Sequence, residues 1–259
     1  MIKNVFILEN KKITGIEDKK AFIEKVLKSC GKTVQISSKD VDLVITLGGD
    51  GTFLKGIRLL SKKTLIYGIK YGNVGFLTNS PQDIERKIKR ILEGRYVVTK
   101  RMLLDITVKR NNRVILKDFC LNEAVINKKG IRIININVKG KQEPIFNIRA
   151  DGIIVATPTG STAHALSAMG PVVQPEVKCF ILIPLCPHCL SWRPVILHHK
   201  EQVTISVSHE SLLVIDGQKE FLLQPADVVS IKKSSRTART IMDEGFLFKH
   251  MQSKFNWNV

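Results

Sequence analysis

Residues 47–52, Leu-Gly-Gly-Asp-Gly-Thr, restrict the local fold of this chain more tightly than any other segment. The apolar residues 41–47 predict a buried strand, and apolar residues at the spacing of one helix face follow the glycines. Glycine admits positive φ and has no Cβ, so N–H groups of such a turn can bind phosphate at the helix N-terminus. The predicted helix face comprises Phe53, Leu54, Ile57 and Leu60, and the predicted phosphate loop comprises Gly48, Gly49, Gly51 and Thr52.

Asp50 is the acidic residue of this turn. Bound phosphates repel a carboxylate, so an acid beside them indicates a role in proton transfer or metal binding. An ordinary turn that contains an Asp-Gly pair is the alternative interpretation. Two common phosphate motifs are excluded, because the chain has no Gly-x-x-x-x-Gly-Lys-Ser/Thr and Leu54 stands where Gly-x-Gly-x-x-Gly requires its third glycine.

The composition is that of an ordinary globular protein, with 44% hydrophobic and 25% charged residues among 259. A chain of this length forms one large or two smaller domains, and we expect two. The formal net charge of +18 would attract nucleic acid, anionic lipid or a phosphorylated small molecule, and charge alone does not distinguish them. The first apolar run is too short for a signal peptide, so we expect a cytoplasmic protein.

The cysteines indicate free thiols. There are five at irregular spacing, which is typical of a reducing compartment. Cys186 and Cys189 form a Cys-x-x-Cys pair, but a zinc ribbon would need a second close pair. A thioredoxin-like site would need a helix that begins at the first cysteine, and Pro194 interrupts such a helix. We therefore favour loop or buried cysteines over a zinc or redox site.

The first hundred residues alternate between predicted strands and helices, which indicates a parallel sheet in an α/β, Rossmann-like domain. One helix ends at Gly31, and another begins near Ser80 and Pro81 and ends at Gly94. The predicted strands are residues 5–8, 33–36, 41–47 and 65–69. The predicted buried helix faces are Phe22, Val26, Leu27 and Cys30 in one helix and Ile84, Ile88, Ile91 and Leu92 in the other.

After about residue 95 apolar and polar residues alternate with period two, as in antiparallel strands. The sequence predicts an α/β domain at residues 1–97, a mainly β, sandwich-like domain at residues 98–232 and a C-terminal tail at residues 233–259. The basic and aromatic residues of the tail can bind single-stranded nucleic acid, but we expect the tail to pack on the N-terminal domain. The alternating positions include Leu104, Ile106, Val108, Ile134, Ile136, Val138, Val203, Ile205 and Val207.

Together with the Asp50 turn, further segments resemble the NAD kinase family, and the match extends over most of the chain. The Asp50 turn alone is weak support, because lipid kinases and phosphofructokinases carry similar Gly-Gly-Asp-Gly turns. The Asn-Glu pair, followed by Thr-Pro-Thr-Gly-Ser-Thr-Ala, is far more specific. The resembling segments are residues 72–78, 121–124, 151–163, 187–194 and 216–218.

The resemblance implies an enzyme that transfers a phosphoryl group from ATP, or in some members polyphosphate, to the 2′-hydroxyl of the adenosine ribose of NAD, giving NADP. Mg2+ would accompany ATP, and no metal ligand of the chain is identified. The α/β domain would bind the phosphate donor and the β domain NAD, in a homo-oligomer that is a dimer or a tetramer. We expect neither nucleic acid nor a membrane as a partner.

The resemblance also assigns site residues. Asp50 would act as the general base for the ribose hydroxyl. Asn122 and Glu123 would supply an amide and a carboxylate for ribose hydroxyls and base edges. The residues that the resemblance places at the NAD site are Asp50, Gly51, Lys55, Asn122, Glu123, Arg149, Asp151, Thr162, Ala163, His164, Ser167 and Gln218.

Three residues depart from the family pattern. His164 stands where tyrosine is usual, so stacking on the substrate rings would use an imidazole and become sensitive to pH. Met169 replaces a usual glycine, which leaves the backbone shape at that position open. Lys70 stands where asparagine is common.

Two other functions remain open on sequence. A lipid kinase would share the Asp50 turn but would need an apolar entrance for its acceptor, whereas residues 122–123 and 157–163 suit a polar dinucleotide. A nucleic-acid-binding module without enzymatic activity is suggested by the net charge and the aromatic tail. Its affinity would depend steeply on salt.

Overall fold

The computed structural model describes residues 2–72, 75–189, 191–243 and 251–252. The described residues form two compact units. Unit 1 is drawn from Met1–Lys100 and Ala238–Val259, and unit 2 is Arg101–Thr237. The predicted docking of the tail mainly concerns residues 244–250 and 253–259, which lie outside the described residues.

Unit 1 is a parallel sheet with helices, as the alternating pattern predicts. Its elements are β1 (Asn4–Glu9), α1 (Ile16–Ser29), β2 (Thr33–Gln35), β3 (Leu43–Gly48), α2 (Asp50–Ile57), β4 (Leu65–Lys70) and α3 (Ile84–Leu92). The strands lie in the order β2-β1-β3-β4, and residues 239–241 pair in parallel with β4. Because parallel strands have their carboxyl ends at one edge, the turns that follow β3 and β4 leave the sheet at the same edge.

Helices α1 and α3 share an apolar core with the sheet. Helix α2 packs on the strands at very close range, because two glycines remove the side chains that would separate them. A Cβ on Gly56 would lie 2.7 Å from Thr46 Cγ2, and a Cβ on Gly68 would lie 2.7 Å from Phe53 Cδ2. This packing holds the first residue of α2, Asp50, at the carboxyl end of β3.

Three details of the predicted helices were wrong. Phe22 is 44% exposed, because the buried face of α1 runs through Ile16, Ile23, Val26 and Leu27 and a residue at position 22 points away from it. Leu60 lies beyond the end of α2. Helix α3 begins at Ile84 and not at Pro81, because Asp83 has a left-handed φ of 53° that a continuous helix does not contain.

Unit 2 contains two β-sheets. Its strands are β5 (Val98–Arg110), β6 (Arg113–Cys120), β7 (Glu123–Lys128), β8 (Ile134–Lys139), β9 (Pro144–Ala150), β10 (Gly152–Ala156), β11 (Cys179–Leu185), β12 (Val195–His198), β13 (Gln202–Val207), β14 (Ser211–Ile215), β15 (Lys219–Leu223) and β16 (Val228–Ile241). Sheet I has the order β6-β5-β16-β13-β8-β9, and sheet II has the order β12-β11-β10-β7-β14-β15. Every strand pair of sheet II is antiparallel.

The two sheets of unit 2 bury one apolar core between them, as a sandwich does. Sheet II also has a second buried face, where Ala165 of the short helix α4 (His164–Ser167) packs with Ile154 and Ile181. The predicted fold class, an N-terminal α/β unit and a sandwich-like β unit, is therefore confirmed. The shared core includes Leu104, Ile136 and Ile205 from sheet I and Ile126, Val155 and Phe180 from sheet II.

We expect Gly68→Ala to destabilise unit 1. The new Cβ would lie 2.7 Å from Phe53 Cδ2 and 2.9 Å from Thr78 Cγ2, so α2 would have to move away from the sheet. Overpacking of this kind costs about 1–3 kcal/mol, which urea denaturation measures as a lower free energy of unfolding. Gly130→Ala is the matched control, because no described atom lies within 4 Å of its Cβ position. Equal stability of the two variants would contradict the packing.

Candidate active site

The carboxylate of Asp50 is bound by backbone N–H groups of the loop that follows β4. Phe76 N–H donates to Oδ2 at 2.7 Å, and Leu77 N–H donates to Oδ1 at 3.0 Å. A Cβ on Gly75 would collide with this carboxylate, so the contact requires glycine there. Each carboxylate oxygen has a second lone pair, which is available for a substrate hydroxyl. Asp50 is thus fixed in orientation and keeps the capacity to accept a hydrogen bond.

The glycines of the Asp50 turn differ in what requires them. Gly48 has φ 156°, and a Cβ there would collide with the Thr52 hydroxyl, so the fold itself requires a glycine. Gly49 has φ −90°, and no described atom lies within 4 Å of its Cβ position. Packing inside the protein therefore does not explain why residue 49 is a glycine, whereas a ligand that approaches the backbone there would explain it. Gly51 and Lys55, both exposed, lie on the first turns of α2 beside this open space.

Asn79, which the sequence analysis missed, anchors the loop that binds Asp50. Its side chain is buried, donates to Gly68 O at 3.0 Å and Ile241 O at 3.3 Å, and accepts a hydrogen bond from Asp243 N–H at 2.8 Å. The backbone of Asn79 also accepts from Lys70 N–H at 2.9 Å. Asn73 and Val74, which belong to the resembling segment, lie outside the described residues.

In unit 2, Asn122 and Glu123 lie where β7 begins, and their backbone is bound on two sides. Asp216 accepts the N–H groups of Leu121, Asn122 and Glu123 at 2.9, 2.7 and 3.2 Å. Thr157 donates its N–H to Asn122 O at 2.8 Å and its hydroxyl to Leu121 O. A Cβ on Gly160 would collide with Asn122 O, so the Thr157–Gly160 turn packs directly on this segment.

The side chains of Asn122 and Glu123 are buried but incompletely paired. Neither Asn122 Oδ1 nor Glu123 Oε2 has a hydrogen-bond partner among the described residues. Burial and, to a smaller extent, the nearby charge of Asp216 raise the pKa of Glu123 to about 8, against the opposing effect of a hydrogen bond from the backbone of His164. A buried polar atom without a partner costs about 1–3 kcal/mol, so these two oxygens indicate a binding site for donor groups.

The other residues assigned to the NAD site divide into two groups. Thr162, Ala163, His164 and Ser167 follow the Thr157–Gly160 turn, and Gln218 follows Asp216, so these lie on the segments that bind Asn122 and Glu123. Asp151 precedes β10, whereas Thr157 follows it, and Ala156 of that strand pairs with Glu123. Asp151 and Arg149 therefore lie at the opposite end of β10, roughly 16 Å away along the strand. Asp151 forms an ion pair with Lys128 at 2.6 Å.

Comparison with known proteins identifies the family. The model of the ATP-NAD kinase N-terminal domain matches residues 7–96, and that of the ATP-NAD kinase C-terminal domain matches residues 121–242. A NAD kinase of Teredinibacter turnerae is 38% identical over 224 residues, which are 83% of this chain and 76% of that protein. The chain belongs to the ATP-NAD kinase family. These relatives support a NAD kinase enzyme and give no support to the lipid kinase alternative.

Further relatives of the NAD kinase family agree. A NAD kinase of Carboxydothermus hydrogenoformans is 40% identical over 210 residues, 79% of this chain and 75% of that protein. The structure of an Archaeoglobus fulgidus NAD kinase in complex with ATP superposes with a TM-score of 0.81 at 29% identity, covering 96% of this chain and 99% of that one. Yeast NADH kinase complexed with NADH gives a TM-score of 0.92 at 21% identity over 99% and 88% of the two chains, which shows a shared fold.

The three departures from the NAD kinase pattern have visible consequences. Met169 keeps the left-handed backbone that a glycine would adopt, with φ 61°, and its side chain is 86% exposed. His164 is exposed on α4, which leaves its imidazole available to a ligand. Lys70 ends β4, and its N–H is bound by Asn79.

The five cysteines lie in different environments, from buried to exposed. None of the five cysteines takes part in a disulfide bond, and Cys186 and Cys189 are exposed. The Ser191 hydroxyl, 3.0 Å from Cys189 Sγ, lowers the pKa of that thiol. Among the described residues, no group of three or more His, Cys, Asp or Glu side chains is arranged to hold a metal ion. No helix there is both long and apolar enough to cross a membrane.

We expect Met169→Gly to stabilise the protein. A non-glycine residue in the left-handed region costs about 1–2 kcal/mol, part of which the greater freedom of glycine in the unfolded chain offsets. The free energy of unfolding should therefore rise by about 0.5–1 kcal/mol. Met169→Ala is the control, because it removes the exposed side chain and keeps the strained backbone. If both variants changed stability equally, the backbone would not be the cause.

We expect Glu123→Gln to gain stability over the wild type as pH rises. Folding raises the pKa of Glu123 from 4.5 to about 8. The stability associated with the protonated side chain is complete below the unfolded pKa and is lost as pH rises through the folded one, whereas glutamine does not titrate. The difference in free energy of unfolding should grow by on the order of 2–4 kcal/mol between pH 5 and pH 9. Glu176→Gln, at an exposed position of the same unit, is the control. A difference for Glu123→Gln that stays constant with pH would show that this carboxyl group titrates normally.

Proposed function

We propose that this enzyme phosphorylates the 2′-hydroxyl of the adenosine ribose of NAD with ATP, and so makes NADP. The observation that carries the proposal is the carboxylate of Asp50, which two loop amides hold at 2.7 and 3.0 Å beside an open glycine backbone. A phosphate-binding turn does not need a carboxylate, but transfer to a hydroxyl group does benefit from one.

Asp50 is the proposed general base. An alcohol is a weak acid, so its proton leaves as the bond to phosphorus forms, and a fixed carboxylate both orients the hydroxyl and receives that proton. The N–H groups of Phe76 and Leu77 keep the carboxylate oxygens in place without consuming their second lone pairs.

The open backbone at Gly49 and the N-terminus of α2 are the proposed donor site. Free N–H groups and the positive end of the helix dipole both stabilise phosphate oxygens. Lys55 lies one turn along the same helix and supplies a positive charge. Because this donor set suits phosphate, Mg2+ would arrive with ATP and be coordinated mainly by phosphate oxygens and water, where it neutralises the charge of the transferred group. Inorganic polyphosphate presents the same chemistry and is the second donor to test.

Asn122 and Glu123 are the proposed acceptor site. Ribose hydroxyls both donate and accept hydrogen bonds, and the adenine amino group donates. They suit the unpaired Asn122 Oδ1, which accepts, and the unpaired Glu123 Oε2, which accepts or, in the protonated carboxyl group, donates. Hydrogen bonds to both would remove the cost of leaving buried oxygens unpaired. The turn and α4 residues next to them, Thr162, Ala163, His164 and Ser167, would contact the remaining parts of the dinucleotide.

We also propose a homo-oligomer, a dimer or a tetramer, in the cytoplasm. Arg149 and Asp151 are assigned to the NAD site but lie at the far end of β10 from Glu123, so a second copy of the chain would have to supply them to the same ligand. The exposed free thiols Cys186 and Cys189 support a reducing compartment.

We expect Asp50→Asn to lose NADP formation from NAD, ATP and Mg2+ by about 10²–10⁴-fold in kcat. The amide can accept one of the two loop N–H groups but cannot take the proton. A coupled assay specific for NADP measures the rate, and thermal unfolding verifies that the variant is folded. Asp18→Asn, at an exposed position of α1, is the matched control and should keep full activity.

The same assay decides between the proposed function and its rivals. Full turnover of folded Asp50→Asn would exclude Asp50 as the base. A wild-type protein that makes no NADP but phosphorylates diacylglycerol would replace the proposal with a lipid kinase. Comparison of ATP with polyphosphate and of NAD with NADH identifies the preferred substrate pair.

A further inference from the structure

Asp216 takes no part in the proposed chemistry, yet its carboxylate is among the most heavily hydrogen-bonded groups of unit 2. It is 5% exposed and accepts three consecutive backbone N–H groups, from Leu121, Asn122 and Glu123, at 2.9, 2.7 and 3.2 Å. Its own N–H donates to Glu123 O at 3.0 Å. Successive N–H groups that converge on one point form an anion-binding concavity, and here a side chain of the same protein occupies it.

The turn itself does not require the negative charge of this residue. Asp216 and Gly217 have φ values of 51° and 59°, a left-handed pair that Asn-Gly forms as readily as Asp-Gly. The charge of Asp216 also acts on Glu123, whose pKa it raises beyond the effect of burial. The charge of Asp216 is therefore not explained by the turn, and it affects a residue of the candidate site.

We propose that Asp216 is a positioning residue of the dinucleotide site, which holds the backbone of residues 121–123 so that Asn122 Oδ1 and Glu123 Oε2 are kept for NAD. The proposal rests on the proposed function. Thr157 satisfies the carbonyl oxygens of Leu121 and Asn122 from the other side. With the N–H and C=O groups of this segment both paired within the fold, the two side-chain oxygens are left for the ligand.

The charge of Asp216 supplies a signature that a purely structural contact would lack. Three influences act on the carboxyl group of Glu123: its burial, the charge of Asp216, and the N–H of His164 at the start of α4. The residue of β10 opposite Glu123 is the uncharged Ala156, and on the other side β14 ends at Ile215, opposite Ala124, so the residue that follows at the level of Glu123 is Asp216 itself. Removal of the charge at position 216 should therefore lower the pH at which Glu123 titrates.

Asp216→Asn in the full chain tests the proposal, because it keeps the turn and one acceptor oxygen but removes the charge. Carbon-13 NMR follows the Glu123 carboxyl in the ligand-free protein, and Glu123→Gln identifies its signal. Titration calorimetry with NAD follows binding. We expect the midpoint of the Glu123 titration to fall by about one pH unit. We expect the Kd for NAD to rise about tenfold, equivalent to 1.4 kcal/mol.

Asp227→Asn is the control for general loosening of unit 2. Asp227 is equally buried, but its carboxylate binds Arg110 at 2.7 and 2.8 Å and Gln224 N–H at 2.9 Å, none of which belongs to the site. If Asp216→Asn kept the wild-type midpoint of the Glu123 titration and the wild-type Kd for NAD, the proposal would be overturned. It would also be overturned if Asp227→Asn shifted both quantities by the same amounts. A wild-type protein that binds NAD but makes no NADP would overturn the proposed reaction alone.

Discussion

In each of the two units, a carboxylate that accepts backbone N–H groups determines the shape of the segment that carries the candidate site residues. Asp50 binds two amides of the loop after β4, and Asp216 binds three amides at the start of β7. A buried N–H group that finds no acceptor costs as much as a lost hydrogen bond, so the loops can adopt few other shapes once these acids are present. Each acid thereby fixes the backbone of a segment whose shape is not specified by the local sequence of that segment.

The glycines near the candidate site residues are of two kinds: packing inside the protein requires some of them and does not require another. Gly48, Gly75 and Gly160 are required by contacts inside the protein, since a Cβ at each would collide with Thr52, Asp50 or Asn122. Gly49 differs, because no atom of the described residues lies within 4 Å of its Cβ position. Within the Asp50 turn, Gly48 therefore lets the chain pack on itself, while Gly49 keeps its backbone available. A motif of glycines alone does not reveal this distinction.

The candidate NAD site is arranged at a cost to stability. Asn122 and Glu123 bury oxygens without partners, Glu123 lies close to the charge of Asp216, and Met169 adopts a backbone conformation that suits glycine. Each of these is unfavourable in the free protein, as unpaired buried groups and strained backbone often are at functional sites. The apolar core between sheets I and II shows no comparable feature among its described residues and is built from ordinary aliphatic packing.

Much of the fold was predictable, because it depends on local pattern. Hydrophobic period and glycine spacing predicted the strand, turn and helix around Asp50, the parallel sheet of unit 1 and the alternating strands of unit 2. The pattern did not predict which of two neighbouring apolar residues, Phe22 or Ile23, is buried in α1. Packing against the sheet buries Ile23 and leaves Phe22 exposed. The start of α3 was likewise set by the left-handed backbone of Asp83, which helix propensity does not specify.

The sequence by itself determined that this chain has a glycine-rich turn with an acid and an Asn-Glu pair that match the NAD kinase family, because each of these is a contiguous motif. Only the tertiary structure decided what holds them: Leu77 lies 27 residues from Asp50, and Asp216 lies 94 residues from Asn122. It also separated Asp151 from Glu123 by the length of β10. Hydrogen bonds between distant segments depend on strand order and register, which result from the packing of the whole unit and not from any local run of residues.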